Sequence, residues 1–471
     1  MRMKQAHMSP IEINPTIFRA YDIRGIVNQD LNNDALYWIG RAVASEVLAQ
    51  GFSKLNLAWD GRISSPELAQ AFAQGALKSG CDVRRLGAQP TGLLYYSTHV
   101  TDTPCGVMIT GSHNPANYNG VKIVIDQQAL SGDQIQSLYR RIVQQQLANA
   151  AVDGKLSEED LSPSYIQAIV EPTRIKRPLK IVVDAGNGIG GPLAKQVLEA
   201  LNLEATYLFC DVDGTFPNHH PDPGVPENLA TLQRTVLEEQ ADLGLAYDGD
   251  ADRIAIVDNQ GAIIWPDKLL MLLLQDALPR HTQATVIYDV KSSGYIASLV
   301  KELGGTAIMT PTGHSIMKRK MKEHNALYGG EFSGHLYIND RWFGFDDGIF
   351  AGVRILEVLS QYSQSSSAVF NKIPLEISTP EITLDVSEDE KFEIIERLAQ
   401  DKDFLQGATV HKVDGLRLEF DQGWCLIRAS NTTPKLTLRF AAETDANIHL
   451  LKQRVKAALT KCTPNLSTTK I

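Results

Sequence analysis

An apolar run, a helical stretch and a second apolar run recur in the same order three times along the chain. The copies lie at 54–86, 179–208 and 285–309, and each reads as strand, helix and strand. Units of this kind build right-handed crossovers between parallel strands in layered α/β domains. The pattern therefore predicts three tandem α/β domains of similar design.

A second feature follows each copy, namely two apolar runs joined by an unusually polar loop. The first loop surrounds Ser112, the second spans 248–253 and the third spans 330–335. Such loops stand at the end of a sheet, where side chains are available for binding or chemistry. We expect each of the three domains to present one of these loops.

The plan changes in the last part of the chain. Apolar runs predict strands at 381–386, 408–413, 416–420, 424–428 and 435–440, with helices at 388–400 and 446–459. This order is typical of an α+β domain, and it offers a fourth polar loop at 428–434. Polar, aperiodic stretches place the domains at 1–157, 158–261, 262–372 and 373–471, and the serine-rich stretch 360–367 reads as the clearest linker.

Composition bounds the class of protein. The 471 residues are 43% hydrophobic and 21% charged, which is ordinary for a soluble protein of several domains. The net charge of −10 argues against partners such as nucleic acid or an anionic membrane. Five scattered cysteines form no Cys-x-x-Cys pair, which suits a reducing compartment and indicates neither a disulfide framework nor a zinc site. With no signal-peptide pattern and no long apolar run, we expect a cytoplasmic protein.

The second polar loop, Asp-Gly-Asp-Ala-Asp-Arg, has carboxylates at alternate positions. In extended backbone Asp248, Asp250 and Asp252 would lie on one face, where they repel one another unless a cation neutralises them. A calcium EF-hand would need Gly and Glu where the chain has Arg253 and Asn259. Hard oxygen ligands favour Mg²⁺, with positions left for phosphate oxygen or water. The alternative, a solvated acidic turn, fits poorly between two apolar runs.

The other loops suit the parts of a sugar phosphate. The fourth loop offers a guanidinium, three hydroxyls and an amide, which suits a phosphate dianion as well as an ordinary polar hairpin. Glu331, Ser333 and His335 can bracket vicinal hydroxyls of a sugar, or they form a satisfied turn. Together with the Ser112 hydroxyl and a metal ion, these parts indicate phosphoryl transfer to or from a sugar phosphate.

Four motifs in this order resemble the α-D-phosphohexomutase family, and most closely its bacterial phosphomannomutase/phosphoglucomutase group. They read Thr-Gly-Ser-His-Asn-Pro at 110–115, Asp-Gly-Asp-Ala-Asp-Arg at 248–253, Gly-Glu-Phe-Ser-Gly-His at 330–335 and Arg-Ala-Ser-Asn-Thr-Thr-Pro at 428–434. The segments 18–25, 218–224 and 312–315 also fit, so the similarity covers 18 to about 459. One position departs from the family pattern: Phe332 stands where close relatives more often have Met. An apolar residue there favours glucose and mannose phosphates over amino sugars.

The resemblance implies four domains around a central active-site cleft. It implies reversible interconversion of hexose 1-phosphate and hexose 6-phosphate, of mannose or glucose, through a hexose 1,6-bisphosphate intermediate that also activates the enzyme. Ser112 would carry the phosphoryl group, and a phosphoserine oxygen would join Asp248, Asp250 and Asp252 around a single Mg²⁺. The further residues that the resemblance assigns to catalysis are Arg24, His113, Lys122, His314 and His335. Those that it assigns to substrate are Tyr21, Arg253, Lys291, Gly313, Glu331, Ser333, Arg428, Ser430, Asn431 and Thr432.

Several alternatives stay open at the level of sequence. His335, His314 and Lys122 are all candidates for the group that takes the hydroxyl proton. Rotation of a bisphosphate inside the cleft suggests that the fourth domain swings near 360–367. A phosphoglucosamine mutase, a magnesium-dependent phosphatase and a non-catalytic sugar-phosphate sensor are the rival functions. We expect a monomer that supplies sugar phosphates for exopolysaccharide precursors.

Overall fold

The computed structural model describes residues 12–374, 376–387, 389–430, 434–464 and 466–471. The chain divides into two compact units. The first consists of Met1–Thr173, Lys180–Ile254 and Asp347–Val353, and the second of Arg174–Leu179, Ala255–Asp346 and Arg354–Ile471. These units do not coincide with the four predicted domains, whose bounds stay predictions.

The N-terminal part of the first unit is a mixed sheet covered by helices. Its strands are β1 (Ile23–Ile26), β2 (Lys54–Trp59), β3 (Asp82–Ala88), β4 (Gly106–Ile109), β5 (Tyr118–Ile125), β6 (Gln128–Ala129) and β7 (Leu156–Glu158). Its helices are α1 (Asn33–Ala49), α2 (Ser65–Lys78), α3 (Thr91–Val100) and α4 (Asp133–Val143), preceded by a 3₁₀ turn at Pro15–Ile17. The strand order is β1-β5-β4-β2-β3-β7, with β6 beside β5. Strand β2 is parallel to β3 and β4, and β5 is antiparallel to β4 and β1.

Helices α1 and α2 pack against each other with their backbones in close contact. A Cβ atom at Gly40 would lie 2.2 Å from the carbonyl oxygen of Phe72, and one at Gly75 would lie 2.0 Å from that of Tyr37. Glycine is required at both places because no larger residue fits such an approach. The strands that flank the Ser112 loop contribute buried residues to the same hydrophobic cluster as these helices. The loop is therefore attached to a rigid core.

The remainder of the first unit repeats the crossover plan. Its elements are α5 (Ser162–Val170), β8 (Lys180–Asp184), α6 (Gly190–Ala200), β9 (Glu204–Leu208), a 3₁₀ turn at Pro226–Leu229, α7 (Ala230–Glu238) and β10 (Leu243–Tyr247). Strand β8 is parallel to both β9 and β10.

The chain then crosses into the second unit at β11 (Ile254–Asp258), which pairs antiparallel with β12 (Ile263–Ile264). The elements that follow are α8 (Pro266–Ala277), a 3₁₀ turn at Leu278–Arg280, β13 (Thr285–Asp289), α9 (Tyr295–Glu302), β14 (Thr306–Thr310), α10 (His314–Glu323), β15 (Tyr328–Gly330), β16 (Leu336–Ile338), α11 (Gly348–Leu359) and α12 (Ser366–Phe370). The strand order is β14-β13-β15-β16, in which β13 is parallel to β14 and β15 while β16 is antiparallel to β15.

The strand pairings confirm the predicted repeat. In each copy a helix leads from the first strand to a parallel second strand, as in β2-α2-β3, β8-α6-β9 and β13-α9-β14. A third strand, β4, β10 or β15, then pairs in parallel on the other side of the first. The polar loop follows this third strand each time.

The C-terminal part is α+β, as predicted. Its elements are β17 (Ile377–Ser378), β18 (Ile382–Asp385), α13 (Glu390–Leu398), α14 (Lys402–Leu405), β19 (Thr409–His411), β20 (Leu416–Phe420), β21 (Gly423–Ala429), β22 (Lys435–Ala442) and α15 (Asp445–Cys462). The antiparallel order is β17-β22-β21-β20-β19, with β18 beside β22. The fold class predicted from sequence, three mixed α/β domains followed by an α+β domain, is confirmed.

The prediction of a linker at 360–367 is wrong. Ser360 is buried, and its Oγ accepts the backbone N–H of Lys176 at 2.9 Å. The side-chain oxygen of Asn259 accepts the hydroxyl of Ser366 at 3.1 Å and the N–H of Ser367 at 2.9 Å. Serines dominate this stretch because they satisfy a packed turn between α11 and α12. These contacts do not support a hinge at 360–367.

None of the helices in the described part of the chain combines the length and the apolar character needed to cross a membrane.

Candidate active site

Ser112 lies in the β4–β5 loop of the first unit in a left-handed conformation, with φ of 47°. Its N–H donates to Thr110 Oγ1 at 2.8 Å, and its Oγ donates to Asp248 Oδ2 at 3.0 Å. The same Oγ lies 3.1 Å from Nδ1 of His113. Positive φ at a residue other than glycine is uncommon and persists where the surroundings enforce it. The hydroxyl is therefore held in one position rather than displayed on a mobile turn.

Arg62 shapes this loop, although sequence reasoning did not single it out. Its Nη1 donates to the carbonyls of Pro115 and Tyr118, at 2.6 and 3.0 Å. Its Nη2 donates to the carbonyls of Ser112 and Asn114, at 2.7 and 2.6 Å. The side chain is fully buried, and burial lowers its pKa. The available signal was a charged residue directly after the first strand of the first repeat.

Asp60, at the end of β2, holds the other side of the same loop. Its Oδ2 accepts the hydroxyl of Thr110 at 2.8 Å and the N–H of Gly111 at 2.9 Å. Its Oδ1 accepts the N–H of Arg62 at 3.0 Å. A buried carboxylate and a buried guanidinium thus supply the hydrogen bonds that the loop backbone needs.

Asp248, Asp250 and Asp252 are all completely buried in the first unit. Each offers one carboxylate oxygen, and these oxygens lie within 4.8 Å of one another. The predicted convergence is present, but the reason given for it is wrong. The residues form a turn instead of extended backbone, and Ala251 has a φ of 56°.

Lys122 contacts two of these carboxylates directly, and the charges of Arg253 and Arg24 act on Asp248 and Asp250. The Lys122 ammonium lies 2.8 Å from Asp250 Oδ2 and also pairs with Asp252. Burial, together with the charges of Asp252 and Asp250, raises the pKa of Asp248 well above its usual value. Burial also acts to raise the pKa of Asp250. However, Lys122 and the hydroxyl of Thr91 at 2.7 Å bring that pKa below the usual value.

This cluster fits a divalent cation. The Oδ1 atom of Asp250 is buried and accepts no hydrogen bond from the described residues. Buried carboxylate oxygens are normally hydrogen-bonded or bound to a metal. The three carboxylates lie close enough to bind one ion together, and all their oxygens are hard ligands of the kind that Mg²⁺ takes.

Arg24, in the 18–25 segment that fits the family pattern, belongs to β1. Its side chain is buried, donates to the carbonyl of Thr110 at 3.2 Å and pairs with Asp22. Tyr21, three residues before Arg24, is half-buried. Arg24 thus brings a cation to the base of the Ser112 loop.

Arg253 and the 218–224 segment lie beside the acidic turn. The N–H of Arg253 donates to Asp248 Oδ1 at 3.1 Å, and its guanidinium lies 4.0 Å from Asp222. His219 Nε2 lies 3.0 Å from Asp184 Oδ1, and although burial acts to lower its pKa, Asp184 raises it.

In the second unit, Glu331 is buried at the start of its loop. Its Oε1 accepts the N–H of Gly313 at 2.7 Å, and its Oε2 accepts the hydroxyl of Tyr337 at 2.6 Å. Burial raises the pKa of Glu331. Ser333, two residues on, is half-buried. The Glu331 carboxylate therefore connects the 330–335 loop to the 312–315 turn. The two sequence motifs alone did not show this contact.

His335 lies in a chain of titratable groups. Its Nδ1 is 3.0 Å from Asp346 Oδ2, and the Lys318 ammonium is 2.7 Å from the other oxygen, Oδ1. Lys318 also lies 3.1 Å from Nδ1 of His314, whose ring stacks on that of His335 at 6.0 Å. Burial would raise the pKa of Asp346, but Lys318 and His335 hold it well below its usual range. Lys318 and Asp346 were missed at the level of sequence.

The predicted substrate cations of the second unit both pair with carboxylates. Lys291 lies 2.6 Å from Glu381, and Arg428 lies 2.9 Å from Asp414. Burial acts to raise the pKa of Glu381, but Lys291 brings it below its usual value.

The phosphate loop is described only at its first residues. Ser430 is half-buried, whereas Asn431 and Thr432 lie outside the described residues. The ammonium of Lys391 donates to the Ser430 carbonyl at 2.7 Å, although the side chain is 1% exposed. Lys391 lies on the same face of α13 as buried Ile394 and Leu398. This helical spacing indicates a buried position, and the sequence analysis did not use it.

The predicted residues divide between the two units. The first contains Tyr21, Arg24, Ser112, His113, Lys122, Asp248, Asp250, Asp252 and Arg253. The second contains Lys291, Gly313, His314, Glu331, Ser333, His335, Arg428 and Ser430.

Comparison with known families and proteins supports one assignment along the whole chain. Models of phosphoglucomutase/phosphomannomutase α/β/α domains I, II and III match residues 15–149, 163–261 and 265–376. The model of the C-terminal domain of the same family matches residues 381–458.

Three similar proteins agree with the domain matches. A phosphomannomutase/phosphoglucomutase of Pseudomonas putida is 46% identical over 461 residues, which is 98% of this chain and 99% of the relative. A phosphoglucomutase of Neisseria meningitidis serogroup A is 46% identical over 451 residues, covering 96% of this chain and 98% of the relative. The crystal structure of a phosphoglucomutase/phosphomannomutase family protein from Burkholderia thailandensis superposes with a TM-score of 0.93 at 42% identity, covering 97% and 99% of the two chains. The chain therefore belongs to the phosphoglucomutase/phosphomannomutase family.

Proposed function

We propose that the protein interconverts hexose 1-phosphate and hexose 6-phosphate, of glucose and of mannose, by passing each phosphoryl group through Ser112. Membership of the family makes it a mutase of hexose phosphates. The observation that carries the proposal is the Ser112 hydroxyl, which is held 3.0 Å from Asp248 beside two further buried carboxylates. A hydroxyl in a fixed position next to a cation site suits phosphoryl transfer.

The reaction balances as two transfers. Phosphorylated Ser112 gives its phosphoryl group to the hydroxyl at the sugar end that lacks phosphate. The serine P–O bond breaks, a sugar P–O bond forms, and the hydroxyl proton leaves to a base. The resulting hexose 1,6-bisphosphate reverses its orientation and returns its other phosphoryl group to Ser112, while the sugar oxygen that is released regains a proton. The product is the isomeric monophosphate.

Charge on the transferred group needs compensation. Asp248, Asp250 and Asp252, with an oxygen of phosphorylated Ser112, would hold one Mg²⁺ per chain, and when bound the ion offsets negative charge on the phosphoryl group. Arg24 and Lys122 act on the same charge from the protein side.

We assign the proton transfer to His335. Because Nδ1 lies 3.0 Å from Asp346 Oδ2, we assign the proton of the neutral ring to Nδ1 and the uptake of the attacking hydroxyl's proton to Nε2. Lys318 keeps Asp346 ionised and so keeps the ring in this tautomer. Lys122 is a weaker candidate because two carboxylates hold it as a cation. His314 is a weaker one because its Nδ1 faces the Lys318 ammonium.

Substrate recognition falls to the loops of the second unit. Glu331 and Ser333 bind sugar hydroxyls, and Arg428 with Ser430, Asn431 and Thr432 binds the phosphate that is not being transferred. A grip of several donors suits a site that must accept the phosphate of either isomer. The remaining contacts with substrate are assigned to Tyr21, His113, Arg253, Lys291, Gly313 and His314. The protein acts as a monomer in the cytoplasm on small sugar phosphates.

A phosphoglucosamine mutase is the less supported alternative. The relatives above are named for glucose and mannose, and the apolar Phe332 stands in the sugar loop.

One assay separates the rival functions. The protein is incubated with glucose 1-phosphate, Mg²⁺ and a trace of glucose 1,6-bisphosphate, and both glucose 6-phosphate and inorganic phosphate are measured. Glucose 6-phosphate without inorganic phosphate is expected for the mutase. Release of inorganic phosphate would indicate a phosphatase, and absence of turnover a sensor. Glucosamine 1-phosphate in a parallel reaction tests the amino-sugar alternative.

A further inference from the structure

Arg439 lies on β22, the strand that leaves the phosphate loop. Its backbone pairs with Leu426 on β21, the strand that leads into that loop. The side chain is 2% exposed. Arg439 is therefore fixed to the framework of the phosphate loop and cannot move independently of it.

The side chain of Arg439 reaches two elements of the sugar site. Its guanidinium carbon lies 3.3 Å from the ring centroid of Phe332, between Glu331 and Ser333 in sequence. Its Nη1 donates to the carbonyl of Lys291, which carries one of the assigned substrate cations. A guanidinium stacked on an aromatic ring and donating in its own plane has a defined orientation.

The surroundings of Arg439 favour this orientation over others. Its guanidinium feels the charges of Asp267, Asp289 and Glu381, which oppose the lowering of its pKa by burial. Asp289 also accepts the N–H of Phe332 at 3.2 Å, and Glu381 pairs with Lys291. The same carboxylates that hold Arg439 therefore hold the two elements that it touches.

We propose that Arg439 is a positioning residue that sets the sugar loop and Lys291 at the correct distance from the phosphate loop. The inference rests on the proposed function, since it concerns the binding of a hexose phosphate at these loops. A rigid sugar phosphate spans a fixed distance between its hydroxyls and its phosphorus, so an error in that spacing weakens binding of both isomers.

Arg417 provides a matched control in the same region. It is as deeply buried as Arg439, and it stacks on Trp424 at 4.0 Å. It donates to the carbonyls of Val290 and Ser292, at 2.8 and 2.6 Å, on either side of Lys291. Its described contacts include neither Phe332 nor the Lys291 carbonyl. Loss of Arg417 thus removes a comparable arginine without releasing the sugar loop.

The test compares KM and kcat for glucose 1-phosphate in Arg439→Gln, Arg439→Lys and Arg417→Gln, with melting temperatures measured alongside. We expect Arg439→Gln to raise KM about tenfold with kcat within about threefold, because it removes a buried stacked cation. Arg439→Lys restores part of the affinity, since it keeps the charge but not the planar fork. Arg417→Gln leaves KM within about twofold even where it lowers the melting temperature as much.

An unchanged KM in Arg439→Gln, or an equal rise of KM in Arg417→Gln, overturns the proposal. If Arg439→Gln does not fold, Phe332→Leu replaces it, and a KM equal to that of the wild type then overturns the proposal. Wild-type turnover is measured in every series. Its absence would refute the mutase function itself, whereas normal wild-type turnover with no KM effect refutes only the role of Arg439.

Discussion

Each unit contains a group of buried carboxylates, and the two groups differ in how their negative charge is compensated. In the first unit Asp248, Asp250 and Asp252 lie close together, and Lys122 pairs directly with the last two. In the second unit each carboxylate has its own partners. Asp346 has a lysine and a histidine, while Glu331 has a backbone N–H and a tyrosine hydroxyl.

The difference separates a cluster whose carboxylates repel one another from carboxylates that each have separate partners. Crowded carboxylates raise the cost of folding until a cation binds, so their arrangement serves that cation. Individually paired carboxylates fix the orientation of their partners and need nothing further. Under the proposed function, the first unit serves a metal ion and phosphoryl transfer, and the second orients proton and sugar contacts.

The largest expected effect comes from removing the hydroxyl that the first unit positions. We expect Ser112→Ala to lower kcat about ten-thousandfold or more, since it removes the nucleophile. Intact mass spectrometry of the wild type should show a phosphate adduct that the variant lacks. An unchanged adduct in Ser112→Ala would refute the assignment of the phosphorylated residue.

The next largest effect is expected in the second unit, at His335. His335→Asn should lower kcat by about a hundredfold or more, with KM within about threefold, because it removes the proton acceptor and not a substrate contact. Affinity for Mg²⁺, measured by calorimetry, should not change. If His314→Asn instead shows the larger loss of kcat, the proton role belongs to His314.

A direct comparison of the two groups uses Asp248→Asn and Asp346→Asn in EDTA at pH 8. Burial and the neighbouring carboxylates raise the pKa of Asp248 and so disfavour its charged form in the folded protein, and its replacement should increase the free energy of unfolding by about 1–2 kcal/mol. Asp346 has a lowered pKa, and its replacement removes the carboxylate that pairs with the buried Lys318, so stability should fall by about 3 kcal/mol. The contribution of Asp346 is lost as the pH falls through its lowered pKa.

The same pair should differ in metal binding. Calorimetry should show weaker Mg²⁺ binding in Asp248→Asn and unchanged binding in Asp346→Asn. Equal stability changes of the same sign in the two variants would contradict the distinction between the groups.

The smallest expected effect is on the pH dependence of stability and comes from Asp267, which differs from the other carboxylates discussed for the second unit. Asp267 is buried, its Oδ1 accepts no hydrogen bond within the described residues, and burial raises its pKa to about 7 although Arg439 opposes this. Asp289 and Glu376 add to the rise. The stability that its protonated form contributes is fully present below the unfolded pKa and is lost as the pH rises through about 7.

We therefore expect the wild type to lose roughly 1 kcal/mol relative to Asp267→Asn between pH 6 and pH 8. Urea unfolding of both proteins at each pH measures this difference. A stability difference that stays constant with pH would show that Asp267 does not titrate in this range.

Local pattern was sufficient for much of the fold. The bounds of β20 agree with the predicted strand at 416–420, where apolar and polar residues alternate. Strand β5 begins at Tyr118, earlier than its apolar run, because β1 pairs with it there and extends the strand. That pairing brings together segments far apart in sequence, which periodicity cannot show.

The serine-rich stretch 360–367 also has a property that local sequence could not show. Its composition is that of a linker, yet Ser360, Ser366 and Ser367 are buried and hydrogen-bonded to partners distant in the chain. Composition reports the polarity of a side chain, and only tertiary structure decides whether water or protein satisfies it.

The sequence by itself determined the repeat and the fold class and indicated the candidate site residues, because these depend on local periodicity and on short motifs. Tertiary structure decided which charges meet. It placed Lys122 against Asp250, Asp346 against His335 and Arg439 on Phe332. The strength of each interaction depends on distance and burial, which are properties of the folded chain and not of the order of its residues.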